Sequence, residues 1–162
     1  MNAIVTILAT LFVPGAACFL VPYYILRATH QPLSRAVGPL QIAALPLAVA
    51  GIAMVVWVSD SFVRHGRGTP VPIDPPKHFV SHGLYRWVRN PMYVGALLVL
   101  AAVTIFYGSA WILLYTLGLW AALHTFTVLL EEPQLKRRFG ATYEAYLKEV
   151  PRWIPRPPAA RP

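Results

Sequence analysis

The stretch Gly83-Leu-Tyr-Arg-Trp-Val-Arg-Asn-Pro-Met-Tyr-Val-Gly95 decides how this chain is read. Before Asn90 it is basic and aromatic, with Tyr85, Arg86, Trp87 and Arg89. After Asn90 no charged residue occurs until Glu131. Asparagine is favoured at a helix N-cap and proline at the first helical position, so a helix is predicted to start at Pro91. It starts where the surroundings change from polar to apolar. The run 91–107 meets the short limit of about 17 residues for crossing a bilayer.

Three further apolar runs lie around it, over residues 3–26, 38–58 and 110–130. Gly108-Ser109 is expected to turn the third run tightly into the fourth, making a helical hairpin. Pro14, Pro46 and Gly51 lie inside the first two runs. Membrane helices tolerate such residues, with kinks expected at the prolines. The composition agrees: 57% of residues are hydrophobic and 12% charged, where a soluble domain is about a quarter charged. The expected fold is an all-α integral membrane protein, one domain over 1–162. It has about four transmembrane helices, a cytoplasmic loop 59–90, and a cytoplasmic tail 131–162 whose amphipathic helix caps a cofactor pocket.

The net charge of +8 would suggest nucleic acid in a soluble protein. Here the basic residues flank apolar runs, so they read as topology signals and contacts to membrane lipid; no nucleic acid and no protein partner is indicated. Loop 59–90 holds Arg64, Arg67, Lys77, Arg86 and Arg89, and the tail holds seven more basic residues from Lys136 to Arg161. The opposite side has Arg27 and Arg35. Loop, tail and N-terminus are therefore expected in the cytoplasm, in a bacterial inner membrane with the active site facing inward. Cys18 is the single cysteine, so no disulfide framework is possible. Pro14-Gly-Ala-Ala-Cys18 has the look of a lipoprotein cleavage site, but no Lys or Arg precedes it and cleavage is not expected.

Gly66–Pro76 is rich in proline and glycine. It is expected to be extended, either a linker or a binding loop. In the tail, Leu135, Phe139, Tyr143, Tyr146 and Val150 recur at helical spacing, with Gly140 as an interruption.

The N-terminus of the third helix offers unpaired N–H groups and the positive end of a dipole, which favour an anion. Arg86 and Arg89 add full charges. Glu131-Glu132 closes the fourth run, and a hairpin brings it to the same surface. An acidic pair at a helix C-terminus works against the dipole, which points to a functional demand. A pocket with one basic wall, one acidic wall and aromatics Tyr85, Trp87 and Tyr93 suits a zwitterion. The amino-acid end of S-adenosylmethionine fits it, with the sulfonium near aromatic faces. Taken singly, the arginines also fit snorkelling to headgroups, and the glutamates a solvated helix end. His78 and His82 flank the segment. His124, inside the fourth run, is a candidate polar site or a structural hydrogen bond. Metal-ligand spacing, a phosphate loop and a Ser-His-Asp set are all missing from the sequence, so no metal is expected.

At these residues the chain resembles the isoprenylcysteine carboxyl methyltransferase and phospholipid N-methyltransferase superfamily of membrane enzymes. The matching text is Gly68–Pro76, Phe79-Val80, Gly83–Gly95, Glu131-Glu132, Arg138-Phe-Gly140, Tyr143, Tyr146 and Val150–Pro155. The resemblance covers the C-terminal three-fifths of the chain. It implies methyl transfer from S-adenosylmethionine at the cytoplasmic membrane face. It implies cofactor contacts from Lys77, His78, Phe79, Val80, Tyr85, Asn90, Pro91, Met92, Tyr93 and Glu131. Two departures bear on the acceptor. Prenylcysteine enzymes of the family carry His where this chain has Asn90, and eukaryotic members carry Arg one turn before the binding glutamate, where this chain has Thr127.

Arg86, Arg89 and Glu132 are the candidates for the catalytic chemistry. Transfer from a sulfonium is an in-line displacement, so alignment and exclusion of water are the main tasks. A carboxylate or thiolate acceptor needs no strong base. The amine of phosphatidylethanolamine must first lose a proton, to Glu132 or His124. The leading expectation is a lipophilic acceptor handled as in the isoprenylcysteine enzymes. The alternatives are a phospholipid N-methyltransferase, a relative of the nicotinamide-dependent sterol reductases, and a non-catalytic lipid-binding membrane subunit.

Overall fold

A computed structural model describes residues 12, 14–65 and 82–158, with backbone alone at 62–65. Every regular element among them is helical. Helix α1 (Val21–Ala28) continues from a π turn at Ala16–Leu20. Helix α2 is Pro39–His65, and a 3-10 turn Gly83–Arg86 precedes α3, Pro91–Tyr107. Helix α4 (Ala110–Phe126) runs through a π turn at Thr127–Glu131 into α5 (Glu132–Phe139), and α6 is Ala141–Glu149.

Two of these helices are long and apolar enough to cross a membrane, Pro39–Ser61 and the rod Ala110–Phe139. Ala16–Ala28 and Pro91–Tyr107 are apolar and shorter. The expected first span, 3–26, falls partly outside the described residues. Leu45, Val49, Ile52 and Val56 on α2, and Leu113, Leu114 and Leu117 on α4, point outward and are exposed. Such apolar belts suit lipid, not water.

The α3 boundaries come out as the sequence predicts. Gly108 ends the helix in the left-handed conformation (φ 59°, ψ 34°), and the Ser109 hydroxyl accepts from the Ile112 N–H to start α4. Two other boundaries differ. Helix α2 continues beyond Val58 to His65, taking the first residues of the expected loop, because 59–65 contains no glycine or proline. Ser59 Oγ also satisfies itself on the Val55 carbonyl at 2.8 Å. The second difference is larger. Glu131-Glu132 is not a helix C-terminus, since the rod continues to Phe139. The argument from an opposed dipole therefore fails.

Both π turns have one physical cause. Each lies just before a proline near the start of the following helix, Pro22 and Pro133. Proline supplies no N–H and crowds the carbonyl four residues back. The widened turn relieves that crowding: Val21 N–H bonds to the Ala16 carbonyl, and Glu132 N–H to that of Thr127. Pro46 sits inside α2 without breaking it.

The tightest packing is between α2 and α3, where Gly51 and Gly95 cross. A Cβ at Gly51 would lie 2.5 Å from the Gly95 carbonyl oxygen and 2.9 Å from the Val99 nitrogen. Small residues at such a crossing let membrane helices approach backbone to backbone. Polar ties link the rest: Tyr115 OH donates to the Ala17 carbonyl at 3.0 Å, and Gln41 Nε2 to that of Phe106 at 3.1 Å. The tail breaks at Gly140 (φ 51°, ψ −133°), as expected from the sequence. Tyr143, Tyr146 and Val150 then pack with Leu135, Phe139 and Leu147 into a cluster of their own.

Candidate cofactor and acceptor site

Three pieces of chain far apart in sequence meet at one end of the bundle: 83–93, 127–132 and 143–156. Tyr146 OH donates to the Tyr85 carbonyl at 2.7 Å. Arg89 N–H donates to the Pro151 carbonyl and Arg156 N–H to that of Trp87, both at 2.9 Å. Segment 151–156 thus lies along 87–89 as a clip, its polar backbone groups satisfied by that contact.

Side chains complete the clip. Asn90 is buried at the N-cap position of α3, yet its side chain does not cap the helix. Its Nδ2 donates to the Arg152 carbonyl at 3.3 Å. Arg152 grips Glu132 through two bonds, Nε to Oε1 at 2.8 Å and Nη2 to Oε2 at 2.9 Å. Arg89 Nη1 reaches the same carboxylate at 2.7 Å. Glu132 is 8% exposed, so one buried carboxylate joins two guanidinium groups and three chain segments. The Glu132 carboxylate strengthens the hold of Arg152 on its proton. The Arg89 Nε is buried without a hydrogen-bond partner among the described residues.

Glu131 differs. The Thr127 hydroxyl donates to its Oε2 at 3.4 Å, and the Tyr93 phenol lies nearby. Both neighbours are neutral. Thr127 is 1% exposed, so the place where eukaryotic members carry arginine is here filled by a side chain turned to Glu131. The π turn Thr127–Glu131 spans these residues, and such turns are frequent at functional sites.

The phenols around the clip stay protonated. Burial first, and then the nearby Glu132 carboxylate, pushes Tyr143 up to about 12. Burial raises Tyr85 and Tyr146 as well. None of the three is a base at neutral pH, and the Tyr146 hydroxyl serves as a donor to the Tyr85 carbonyl.

His124 is held by the same tail. Trp153 Nε1 lies 3.0 Å from its Nδ1, and Trp120 stacks on the ring at 5.7 Å between centroids. An indole only donates, so Nδ1 accepts and the ring proton of the neutral imidazole sits on Nε2.

Among the residues expected from sequence, Tyr85, Arg89, Asn90, Pro91, Met92, Tyr93, Glu131 and Glu132 belong to the meeting segments. Arg86 is exposed at the end of the 3-10 turn. Lys77, His78, Phe79 and Val80 lie outside the described residues, as does most of the extended loop. Arg152 and Trp153 lie in the Val150–Pro155 stretch that carries part of the resemblance, but no site role was assigned to them, because a tail arginine and tryptophan read equally as headgroup contacts.

The phospholipid methyltransferase family model matches residues 40–142, from early α2 into α6. The chain belongs to the phospholipid methyltransferase family. Over 77 residues it is also 36% identical to the protein-S-isoprenylcysteine O-methyltransferase of Schizosaccharomyces pombe. That match takes in 47% of this chain and 32% of that protein. The chain therefore spans about a third of the length of the curated relative it matches. No solved structure matches it. The family match covers α2, α3, α4 and α5 together with Asn90, Glu131 and Glu132. Arg152 and Trp153 lie beyond it.

Proposed function

We propose that this membrane protein is a methyltransferase that uses S-adenosylmethionine to modify a lipophilic acceptor at the cytoplasmic membrane face. The observation that carries this reading is the division of labour within Glu131-Glu132. Two arginines saturate Glu132, while Glu131 keeps a carboxylate that accepts from the neutral Thr127 hydroxyl beside the Tyr93 phenol. A half-buried carboxylate of this kind suits an ammonium. Tyr85 and Tyr93 supply aromatic faces, and the amide groups at the start of α3 suit a carboxylate. These are the donors and acceptors that the amino-acid end of S-adenosylmethionine requires. When bound, the cofactor supplies an electrophilic methyl group on sulfur. Lys77, His78, Phe79 and Val80 are assigned to the same site through the family resemblance alone.

The protein's own tasks are then orientation and exclusion of water. The clip of 151–156 over 87–90 holds the start of α3, and the aromatic cluster of α6 covers the tail side. The four-span arrangement, with loop and tail together on one face, belongs to this proposal. The lipophilic acceptor enters sideways from the bilayer.

One observation favours a carboxylate acceptor over a lipid amine. An amine needs a base, and both bases expected from the sequence are engaged. Glu132 accepts three hydrogen bonds from arginines, and His124 Nδ1 accepts from Trp153. The Arg89 Nε, which has no hydrogen-bond partner among the described residues, suits an acceptor carboxylate. Purified protein incubated with labelled S-adenosylmethionine, a prenylated cysteine or a total lipid extract tests both levels. A methyl ester releases its label as methanol in mild alkali, whereas an N-methyl group is retained. Absence of calorimetric binding of S-adenosylmethionine or S-adenosylhomocysteine to folded protein removes the methyltransferase reading. Alkali-stable label in the lipid fraction removes the carboxylate acceptor and leaves the phospholipid amine.

A further inference from the structure

A second concave region lies at the other end of the bundle. It is an apolar cavity of about 250 Å³ between α1, the first turns of α2 and the last turns of α3. Cys18, Leu26, Ala44, Ala48, Val103 and Phe106 are among its walls. Asn90 and Glu131 lie at the opposite end of α3, a helix about 25 Å long at 1.5 Å per residue. The cavity therefore lies well apart from the candidate cofactor site.

A polar hollow adjoins it. Arg27, His30, Gln31, Pro32, Leu33 and Ser34 line this hollow, and Leu33 belongs to both. Tyr107, another cavity residue, donates from its hydroxyl to the Leu33 carbonyl at 3.2 Å and ties the two together. The rim is shaped by the end of α1. His30 takes the left-handed conformation at φ 53°, His30 N–H bonds to the Arg27 carbonyl, and Gln31 N–H bonds to that of Leu26. This double closure of a helix C-terminus needs a left-handed residue, and here histidine serves instead of glycine. It leaves Arg27 and Gln31 on the rim of the hollow.

Gln31 supplies a further indication. Its Oε1 is buried with no hydrogen-bond partner among the described residues. Buried polar atoms are nearly always paired. A half-turn of the amide exchanges oxygen for NH₂, so the same place can offer two donors. Arg27, the Gln31 amide and the Ser34 hydroxyl then surround one hollow with donors and a positive charge. Directly inward lies an apolar slot at membrane depth.

We infer that these two hollows form one binding site for a bilayer phospholipid, with its phosphate at Arg27, Gln31 and Ser34 and an acyl chain in the cavity beyond Leu33. The order of the parts matches the lipid: charge at the helix ends, hydrocarbon walls within the bundle. The site rests on the membrane reading of the helices and is independent of the cofactor. Its face of the membrane is opposite to that of Glu131.

Thermal unfolding of the full chain in an uncharged detergent tests it. Three probes are compared: dioleoylphosphatidylglycerol, dioleoylglycerol with the same chains but no phosphate, and inorganic phosphate. A ligand that binds only the folded state raises the midpoint. The expected result is a rise of several degrees with the phospholipid alone. Arg27→Gln and Ala48→Phe should each lose most of that rise while unfolding near the parent temperature without lipid. If Ala48→Phe does not fold, Arg27→Gln decides, because the Arg27 side chain is exposed. An equal rise with dioleoylglycerol would mean that no headgroup is recognised, and an equal rise with phosphate that no chain is. Either result overturns the inference, as does no rise, or a rise that survives Arg27→Gln.

Discussion

Glu131 and Glu132 are neighbours with opposite electrostatic situations, and substitution should separate them. Glu131→Gln keeps size and removes charge. If its carboxylate holds the cofactor ammonium, the loss of one charge-assisted hydrogen bond costs roughly 1.5–3 kcal/mol, or about ten- to a hundredfold in affinity. Calorimetric titration with S-adenosylmethionine reads this, and the unfolding temperature should hardly move. Glu132→Gln should do the reverse to stability. It leaves Arg89 and Arg152 facing each other without their buried counter-charge, a loss of roughly 3–5 kcal/mol. Arg138→Gln serves as a control, since that guanidinium is exposed and rests 5.4 Å from the Phe139 ring centroid. Equal affinity loss in both glutamine variants, with no stability loss in Glu132→Gln, would contradict this division. The sequence showed both carboxylates and both nearby arginines, Arg86 and Arg89. It could not show that Arg152, twenty positions on, takes Glu132 for itself, because an ion pair across a loop leaves no periodic signature. Tail arginines near lipid look alike until the chain folds back.

At the scale of elements, the hydrophobic run with good start and stop residues at both ends, 91–107, was read to the residue. Helix α3 begins at Asn90-Pro91 and ends at Gly108, where local chemistry leaves little choice. The longer rod was not legible. Pro133 reads as a helix end, yet a proline two residues into a helix costs little once a π turn takes up its crowding. The same turn precedes Pro22, so the device is used twice in one chain. The crossing of α2 and α3 was equally hidden: Gly51 read as a tolerated defect and Gly95 as part of a motif, with nothing to join them. Gly51→Ala tests the contact. The added methyl meets backbone atoms of α3, which cannot rotate away as a side chain would. Overpacking of this kind costs about 1–3 kcal/mol, so the midpoint of thermal unfolding in detergent should fall. Gly118→Ala, with nothing within 4 Å of the new Cβ, should be neutral or slightly stabilising. A Gly51→Ala midpoint equal to the parent's would mean that the helices cross less closely than 2.5 Å implies.

The whole molecule is organised as two ends joined by apolar helices, and the tail decides what one end can do. Segment 151–156 binds by backbone and side chain together, which gives a sharp contrast between two arginines. Arg152 contributes its guanidinium to Glu132, whereas among the described residues Arg156 contributes its backbone N–H to Trp87 and no side-chain bond. Arg152→Gln should lower stability by roughly 1.5–3 kcal/mol, the range for hydrogen bonds to a charged partner, while Arg156→Gln should leave it unchanged. Thermal unfolding of the two variants side by side reads the difference, and matching midpoints would reduce the clip to a backbone contact. The arrangement of the ends in the membrane follows from charge. Arg27 and Arg35 are outnumbered by the basic residues of loop and tail, so the end holding Glu131 should face the cytoplasm and the Arg27 end should face away. Single cysteines report this without disturbing the core. Ser34 lies exposed at one end and Ala145 exposed on α6 at the other, while the native Cys18 is buried. In intact cells an impermeant maleimide should label Ser34→Cys and spare Ala145→Cys until the membrane is opened. Labelling of Ala145→Cys from outside would invert the molecule. Labelling of both would require an even number of crossings between them, and α2, α3 and α4 could then not all span the bilayer.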